Sequence, residues 1–293
     1  KMSIKQSELI LNPDGSVYHL NLKPEHIAEN IIFVGDQDRV DKVSKYFDTI
    51  EFTTQKREFK TTTGTYKNKL FSVISTGIGP DNIDIVLNEL DALVNINLKT
   101  RIPKENLTSL NIVRIGTSGS LQIDVPVDSF LLSSHGLDLN GMLHSYQIDA
   151  ISNPDIEDAF VQHSNWSVKK SYPIVIENSK ELENKLKSQK TFQGITATAG
   201  GFYGPQGRIL RLALQDNNLN NLIDSFSFNG HRITNLEMET SAIYGLSKLL
   251  GHKSCSMNAI IANRANGTFS KNPGKVVDEL IEYTLKKLVE YND

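Results

Sequence analysis

The feature that most constrains the fold of this chain is a regular alternation of short apolar runs with amphipathic segments. Runs rich in β-branched residues predict buried strands at 30–36, 69–79, 111–119, 128–136, 192–201 and 253–264. Segments with helical spacing of apolar residues predict helices at 38–47, 81–96 and 275–291. Strands that alternate with helices form a sheet covered by those helices. We therefore expect an α/β fold, a single domain over residues 1–293, with a mixed central β-sheet flanked by α-helices.

Charge and cysteine content narrow the ligand class and the compartment. The chain has 31 Lys and Arg against 34 Asp and Glu, a net charge of -3, which favours neither nucleic acid nor an anionic membrane as a partner. Its one cysteine, Cys255, excludes an intramolecular disulfide and a Cys-based zinc site. No apolar run approaches the ~20 residues of a membrane span, and no signal-like apolar core follows the first residues. We expect a cytoplasmic protein with a small-molecule ligand.

One predicted helix carries acidic residues where an apolar face is expected. The stretch "NLEMETSAIYGLSKLLG", 235–251, has the spacing of an amphipathic helix capped by Asn235. Glu239 projects onto its apolar stripe, whereas Glu237 points to the opposite side. A buried carboxylate costs several kcal/mol unless it is hydrogen-bonded. Glu239 therefore needs a partner, either in the protein or in a ligand.

Three predicted strands end in glycine-containing turns. These are "FVGD" with Gly35, "STGIG" with Gly77 and Gly79, and "RIGTSG" with Gly116 and Gly119. In open α/β sheets ligands collect at the carboxyl ends of strands, and glycine lets backbone N–H groups approach an anion. Each turn alone is more typical of a plain strand-to-helix connection. None has the spacing of a dinucleotide fingerprint or a phosphate-binding P-loop.

Arginines accompany these turns. Arg39 follows Gly35 by four residues, and Arg114 and Arg264 lie in or at the end of apolar strands. A guanidinium in an apolar strand must be paired, and its planar fork suits a carboxylate or a phosphate. Arg57, in "QKREFKTTTG", is on composition alone more typical of a solvated surface charge. The arginines favour an anionic ligand near the glycine turns.

Eight motifs, taken together, resemble the nucleoside phosphorylase superfamily with trimeric or hexameric members. In chain order they are "VYHLNL", "VGDQDRV", "KREF", "STGIGPDNIDI", "RIGTSG", "GFYGPQGR", "NLEMET" and "IIANR". The closest resemblance is to uridine phosphorylase, from about position 16 to the C-terminal helix. It implies a pentosyltransferase that cleaves uridine with phosphate in nucleoside salvage, and it leaves open whether deoxyuridine and thymidine are also substrates. Inorganic phosphate is then the co-substrate, and neither a cofactor nor a metal is implied.

The resemblance assigns phosphate binding to one group of residues and implies that two residues act on the site of a neighbouring subunit. The phosphate group consists of Gly35, Arg39, Arg57, Arg114 and Thr117. Within it, Arg57 reaches the phosphate from a neighbouring subunit. His19 of "VYHLNL" reaches the ribose 5′-hydroxyl in the same way, although a structural histidine is the simpler interpretation. The implied assembly is a homo-oligomer, at least a dimer and at most a hexamer.

The remaining matches are assigned to the sugar and the base. Glu239 accepts hydrogen bonds from ribose hydroxyls and Met238 packs against the sugar, while Glu237 and Arg264 have less defined roles. The implied base-binding residues are Ser118, Gly119, Phe202, Gln206 and Arg208. An amide presents a donor beside an acceptor, which matches the edge of a pyrimidine. The implied catalytic residues are Arg114, Gln206, Arg208 and Glu239.

The substrate is the least determined part of this interpretation. Purine-cleaving relatives have an acid at the end of the last core strand, where this chain has Asn263, so protonation of a purine is not supported. A purine nucleoside phosphorylase and a non-catalytic nucleoside-binding protein remain as alternatives. Two departures from the family pattern are Gln37 in place of a proline and the segment "GIGPDNIDI". The second leaves open whether a monovalent cation binds near Glu58 and Asn82, as in some relatives.

Overall fold

A large curved β-sheet forms the centre of the molecule and carries helices on its faces. The computed structural model describes residues 2–290. The strands are β1 Asn30–Val34, β2 Thr49–Lys56, β3 Phe59–Tyr66, β4 Lys69–Ser75, β5 Ile96–Asn97, β6 Ile102–Pro103, β7 Asn111–Ser120, β8 Phe130–Asp138, β9 Ile174–Glu177, β10 Thr191–Thr198, β11 Ser227–Phe228, β12 His231–Glu237, β13 Lys253–Asn263 and β14 Thr268–Phe269. The helices are α1 Gln37–Ser44, α2 Pro80–Asn95, α3 Pro154–Ser164, α4 Lys180–Leu186, α5 Leu219–Asp224, α6 Thr240–Leu250 and α7 Pro273–Val289. Within residues 2–290, none of these helices has both the length and the apolar content to cross a membrane.

The strand order brings distant parts of the chain together at one place. Across the sheet the order is β11-β12-β10-β8-β13-β7-β1-β4-β3-β2, with β9 beside β8 and β14 beside β13. β7 pairs in parallel with both β1 and β13. The end of β7 also pairs antiparallel with β12, where Ser120 lies opposite Asn235. This pairing closes β7, β13, β8, β10 and β12 into a ring and places the ends of β7 and β12 side by side.

The central strands are buried on both faces, as their continuous apolar runs predict. In β1, Ile31 and Phe33 pack into one apolar cluster with residues of α2 and α6. The alternate residues Ile32 and Val34 pack into a second cluster with residues of α1, α4 and α7. Successive side chains of a strand point to opposite faces, so one short strand anchors both layers of helices.

The predicted fold class is confirmed, and the predicted elements are present with shifted ends. The six predicted strands correspond to β1, β4, β7, β8, β10 and β13. The predicted helices at 38–47 and 81–96 are α1 and α2. The helix predicted over 275–291 is α7, Pro273–Val289, and position 291 lies outside the described residues.

Two predictions near the end of β7 were wrong. Asn235 does not cap a helix, because it lies in β12 and α6 begins only at Thr240. "RIGTSG" is not a turn, because Gly116 and Gly119 are both inside β7. Both segments are held as strands by pairing: β12 lies between β10 and the end of β7. Ladder hydrogen bonds of this kind outweigh a helical apolar spacing, which the sequence alone could not reveal.

Candidate active site

A cavity of about 930 Å³ opens where β1, β4, β7 and β13 end and α6 begins. Most of the residues assigned from the sequence line this one cavity. They are Gly35, Arg39, Arg114, Thr117, Ser118, Gly119, Phe202, Gln206, Arg208, Glu237, Met238, Glu239 and Arg264. Parallel strands end at the same edge of a sheet, so loops far apart in sequence converge here.

Arg114 is the buried cation of the cavity, and protein groups hold it in place. Its side chain is 8% exposed, and Nη2 donates to Glu239 Oε1 at 2.9 Å. Nη1 donates to Asn258 Oδ1 at 3.0 Å, and Glu237 Oε2 lies 3.6 Å from Nη2. Burial alone would lower the pKa of Arg114, but Glu237 and Glu239 outweigh it and raise the pKa. Arg114 therefore stays charged in the sheet, as its place in an apolar strand requires.

Glu239 finds two protein partners, which answers the question posed by its position in the sequence. Besides Arg114, the backbone N–H of Gly79 donates to its Oε2 at 3.0 Å. Gly79 has a φ of +102°, a conformation that favours glycine, so the "STGIG" loop can aim this N–H at the carboxylate. Each carboxylate oxygen keeps acceptor capacity for a ligand hydroxyl. The arrangement fixes Glu239 while leaving its oxygens able to accept from a ligand hydroxyl.

Glu237 was predicted to point to the side opposite Glu239, but its carboxylate caps the N-terminus of α6. Its carboxylate accepts the backbone N–H of Glu239 at 2.7 Å, both oxygens lie within 3.0 Å of the Thr240 N–H, and Oε1 accepts the Thr198 hydroxyl at 2.7 Å. Burial raises the pKa of Glu237, and Arg114 opposes this rise. A carboxylate at a helix N-terminus is also stabilised by the helix dipole. Glu237 therefore holds the chain direction at Glu239 instead of pointing away from it.

Arg39 adds a second cation beside Arg114. It lies in the first turn of α1, where the Asp36 side chain accepts its backbone N–H at 2.9 Å. Its guanidinium has few protein partners: Nη1 lies 3.5 Å from the Ile115 carbonyl oxygen and Nη2 3.9 Å from Asp36. Burial lowers the pKa of Arg39, with Asp36 acting against it and the charge of Arg114 adding to it. Two neighbouring guanidiniums with spare donors form a site suited to an oxyanion.

A second polar group of the cavity surrounds Gln206. Gln206 is 3% exposed, its Oε1 accepts a hydrogen bond from Arg208 Nη1 at 2.8 Å, and its Nε2 donates to the Gly201 carbonyl oxygen at 3.2 Å. Arg208 also lies over the ring of Phe202, 3.9 Å from its centroid. Arg264 Nη2 donates to the backbone carbonyl oxygen of Gln206 at 3.1 Å. The buried Nη1 of Arg264 has no hydrogen-bond partner among residues 2–290. The group offers fixed donors to a flat polar ligand.

His19 and Arg57 lie away from the cavity in which the other predicted residues meet. Neither lines the cavity within the described residues. His19 pairs through Nδ1 with the Glu89 carboxylate, and Arg57 lies exposed in the turn between β2 and β3 with a φ of +54°. Gln37, the residue that replaces the family's proline, donates its amide to the Arg57 carbonyl oxygen.

Comparison with known proteins identifies the family of this chain. A family profile described as the phosphorylase superfamily matches residues 29–290. The chain belongs to the phosphorylase superfamily. It is an enzyme of that superfamily and is similar to a uridine phosphorylase of Thermococcus kodakarensis, with 27% identity over 96% of this chain and 89% of that protein.

Further relatives of this phosphorylase include enzymes named for purines. A DeoD-type purine nucleoside phosphorylase of Listeria monocytogenes is 24% identical over 82% of this chain and 84% of its own length. Among solved structures, a Trypanosoma brucei nucleoside phosphorylase, described as showing uridine phosphorylase activity, has a TM-score of 0.86 and 28% identity. That match covers 96% of this chain and 99% of the other.

Asn263 does not face the cavity of this phosphorylase. Its Nδ2 donates to the carbonyl oxygens of Gln122 and Val125, both at 3.0 Å, and its Oδ1 accepts backbone N–H groups of Ala265 and Asn266. Every hydrogen-bonding group of this amide is thus used to shape the loop after β13. The neighbouring residue Arg264 enters the cavity instead.

Several residues of the site were not predicted from the sequence. Asn258 and Thr198 hold the charged groups in place, and Ile78, Ile261 and Phe269 add apolar lining. Gly79 was expected at a ligand-binding turn, but its N–H donates to Glu239 of the protein. A signal existed only for Asn258, which is a polar residue in the middle of the apolar run "SMNAII". The others depend on which strands pair, and local spacing does not encode that.

Replacing Glu237 with Ala tests its role as the cap of α6. The change leaves the N–H groups of Glu239 and Thr240 and the Thr198 hydroxyl without their buried acceptor, and each such loss costs about 1–3 kcal/mol. We expect the free energy of unfolding, measured by urea denaturation, to fall by about 3 kcal/mol or more in total.

The control for this prediction is Glu51→Ala, which removes an exposed carboxylate from β2. Surface changes of this kind stay within about 0.5 kcal/mol. Equal stability of the Glu237→Ala and Glu51→Ala variants would contradict the capping role.

Proposed function

We propose that the enzyme catalyses phosphorolysis of uridine to uracil and ribose 1-phosphate, as a cytoplasmic step of pyrimidine nucleoside salvage. One observation carries this proposal: a single cavity contains an arginine pair for an oxyanion, the fixed carboxylate of Glu239 and the polar group around Gln206. These three features match the phosphate, the ribose and the base. Phosphate is the co-substrate, and the proposed reaction needs neither a cofactor nor a metal.

The proposed reaction is a displacement at C1′ of the sugar. A phosphate oxygen, held by Arg39 and Arg114, forms a bond to C1′ while the bond from C1′ to N1 of uracil breaks. Holding both reactants in one orientation lowers the barrier by removing the entropy of their encounter. Glu239 binds the ribose hydroxyls and places a negative charge near the positive charge that develops on the sugar. Met238 borders the same part of the cavity.

The electron pair of the broken bond passes to the departing base. Negative charge then spreads over the uracil ring, where preorganised donors are most effective. Arg208 supplies such donors next to Gln206, and Nη1 of Arg264 is a charged donor with no partner among residues 2–290. Burial lowers the pKa of Arg264 from its ordinary value. A ligand carbonyl oxygen at this position would give Arg264 Nη1 the hydrogen-bond acceptor that it lacks among these residues.

A pyrimidine fits the cavity better than a purine does. A purine leaves most readily when an acid protonates its ring nitrogen. Asn263 cannot act in that way, because it is not an acid and because its amide is fully bonded to the loop after β13. Uracil can leave as an anion without protonation of a ring nitrogen, because hydrogen-bond donors of Gln206, Arg208 and Arg264 can stabilise the charge on its carbonyl oxygens.

The test of this proposal is a nucleoside panel followed in the ultraviolet. We expect uracil release from uridine that requires phosphate, and at least tenfold lower kcat/KM for inosine, since an unmatched buried edge costs more than 1.4 kcal/mol. Thymidine and deoxyuridine are measured beside it to fix the sugar and methyl preference.

Each alternative outcome has a distinct meaning. Preferential cleavage of inosine would contradict the pyrimidine assignment and favour a purine nucleoside phosphorylase. Binding of uridine without cleavage of any nucleoside would favour a binding protein. Cleavage of uridine without phosphate would contradict phosphorolysis.

We also propose that the active unit is a homo-oligomer, at least a dimer, in which His19 and Arg57 serve the cavity of a neighbouring copy. Their position away from the cavity of their own chain supports this assignment. The exposed guanidinium of Arg57 at the tip of the β2–β3 hairpin is free to reach across a subunit boundary. His19, positioned by Glu89, has an oriented ring suited to one hydroxyl of a sugar.

A subunit-mixing experiment tests this exchange. Arg39→Gln and Arg57→Gln variants are each expected to be nearly inactive. If a site combines Arg39 of one chain with Arg57 of its neighbour, mixed dimers contain one intact site, and an equal mixture regains about a quarter of wild-type activity. The variants are unfolded together and refolded, and separately refolded samples serve as the control. Activity that stays at the level of the single variants would contradict the exchange.

A further inference from the structure

The guanidinium of Arg114 lies flat across the backbone of Gly116, two residues later on the same strand. A Cβ atom at position 116 would lie 2.1 Å from Nη1, 2.4 Å from Cζ and 2.6 Å from Nη2 of Arg114. Residues i and i+2 of a strand share a face, so the side chain of Arg114 runs along β7 toward the cavity. Glycine at 116 thus provides the space in which the guanidinium lies.

Asn258 faces this guanidinium from the neighbouring strand. It lies in β13 opposite Gly116, is fully buried and accepts Arg114 Nη1 through Oδ1 at 3.0 Å. A guanidinium has only donors, so the amide oxygen must point toward it and the orientation of Asn258 is fixed. As a result Nδ2 is buried without a hydrogen-bond partner among the described residues. The protein therefore tolerates an unpaired donor in order to supply this acceptor, although such donors cost stability.

Asn258 is an uncharged partner of Arg114, whereas Glu237 and Glu239 are carboxylates. Glu237 and Glu239 already bring two carboxylates within 3.6 Å of Nη2. An aspartate at 258 would relieve the unpaired donor but add a third negative charge, whereas an apolar residue would leave Nη1 without its acceptor. An amide is a side chain that orients the guanidinium without cancelling more of its positive charge. Retention of positive charge is what an oxyanion ligand requires.

We propose that Asn258 and Gly116 are positioning residues of the phosphate subsite, which act through Arg114. This inference rests on the proposed function, because it takes phosphate as the ligand of Arg114. Gly116 provides the space for the guanidinium, and Asn258 fixes its plane with a neutral acceptor. Neither residue touches the phosphate itself.

The first test uses Asn258→Asp, which keeps the size of the side chain and its acceptor. A role limited to packing predicts behaviour close to wild type. The positioning role predicts that KM for phosphate rises at least tenfold while kcat and KM for uridine change less than about threefold, because only phosphate binding is weakened. An unchanged KM for phosphate in a folded Asn258→Asp variant would overturn the inference.

The second test uses Gly116→Ala, in which the nearest atoms met by the new Cβ are the flexible end of Arg114. The strand can therefore form while the guanidinium moves. We expect KM for phosphate to rise by at least tenfold here also. A wild-type value would contradict the role of Gly116 in providing space for the guanidinium of Arg114. Cys255→Ala is the control for both variants, since Cys255 is buried in β13 near Asn258 and contacts Asn178 instead of Arg114. It should leave KM for phosphate unchanged.

Phosphate binding without turnover separates this inference from the proposed function. Inorganic phosphate should raise the unfolding temperature of the wild type and of Cys255→Ala, and this rise should be smaller or absent in Asn258→Asp and Gly116→Ala. If the wild type cleaves no nucleoside, the proposed function fails and the thermal shifts alone decide the inference. Absence of any shift in the wild type, or equal shifts in all four proteins, would overturn it.

Discussion

The buried ion pair between Arg114 and Glu239 is the interaction on which the rest of the site depends. It joins β7 to the start of α6, and through Asn258 and the Gly79 N–H it also involves β13 and the loop after β4. Removing one partner of a buried pair typically costs about 3–5 kcal/mol, because the other charge is left unpaired. The strands around the cavity therefore depend on the same charges that a substrate would meet, and stability and ligand binding are coupled there.

The balance of charge in the cavity explains how it can take an anion although two carboxylates lie inside it. Glu237 is turned toward the N-terminus of α6, where backbone N–H groups and the helix dipole stabilise it. Arg39 has only distant partners, and Arg264 keeps an unpaired Nη1. Positively charged hydrogen-bond donors thus remain available at two places, one beside Glu239 and one beside Gln206. An oxyanion at the first and a developing negative charge at the second would each find preformed partners.

The sequence predicted the α/β class and many of the residues that line the cavity, but not the contacts that hold them. Regular alternation of apolar runs located the core strands, and the motif order located Arg114, Glu239 and Gln206. The wrong assignment at Asn235 arose because the spacing of 235–251 fits a helix throughout. The first residues of this segment, 235–237, are instead held as a strand by β7 and β10. The partners Asn258 and Gly79 are 144 and 160 residues away from the groups they bind. Contacts of such separation follow from strand pairing and cannot be read from local periodicity.

The most direct test of the account is to follow the phosphorus atom during the reaction. The enzyme is incubated with uridine and inorganic phosphate, and the mixture is monitored by phosphorus NMR while uracil is measured in the ultraviolet. If Arg39 and Arg114 hold the attacking phosphate, a sugar 1-phosphate resonance grows in equal amount to the uracil released, and the inorganic phosphate signal falls by the same amount. Release of uracil with no loss of inorganic phosphate would show that water attacks C1′, and it would contradict the assignment of the arginine pair as the phosphate subsite.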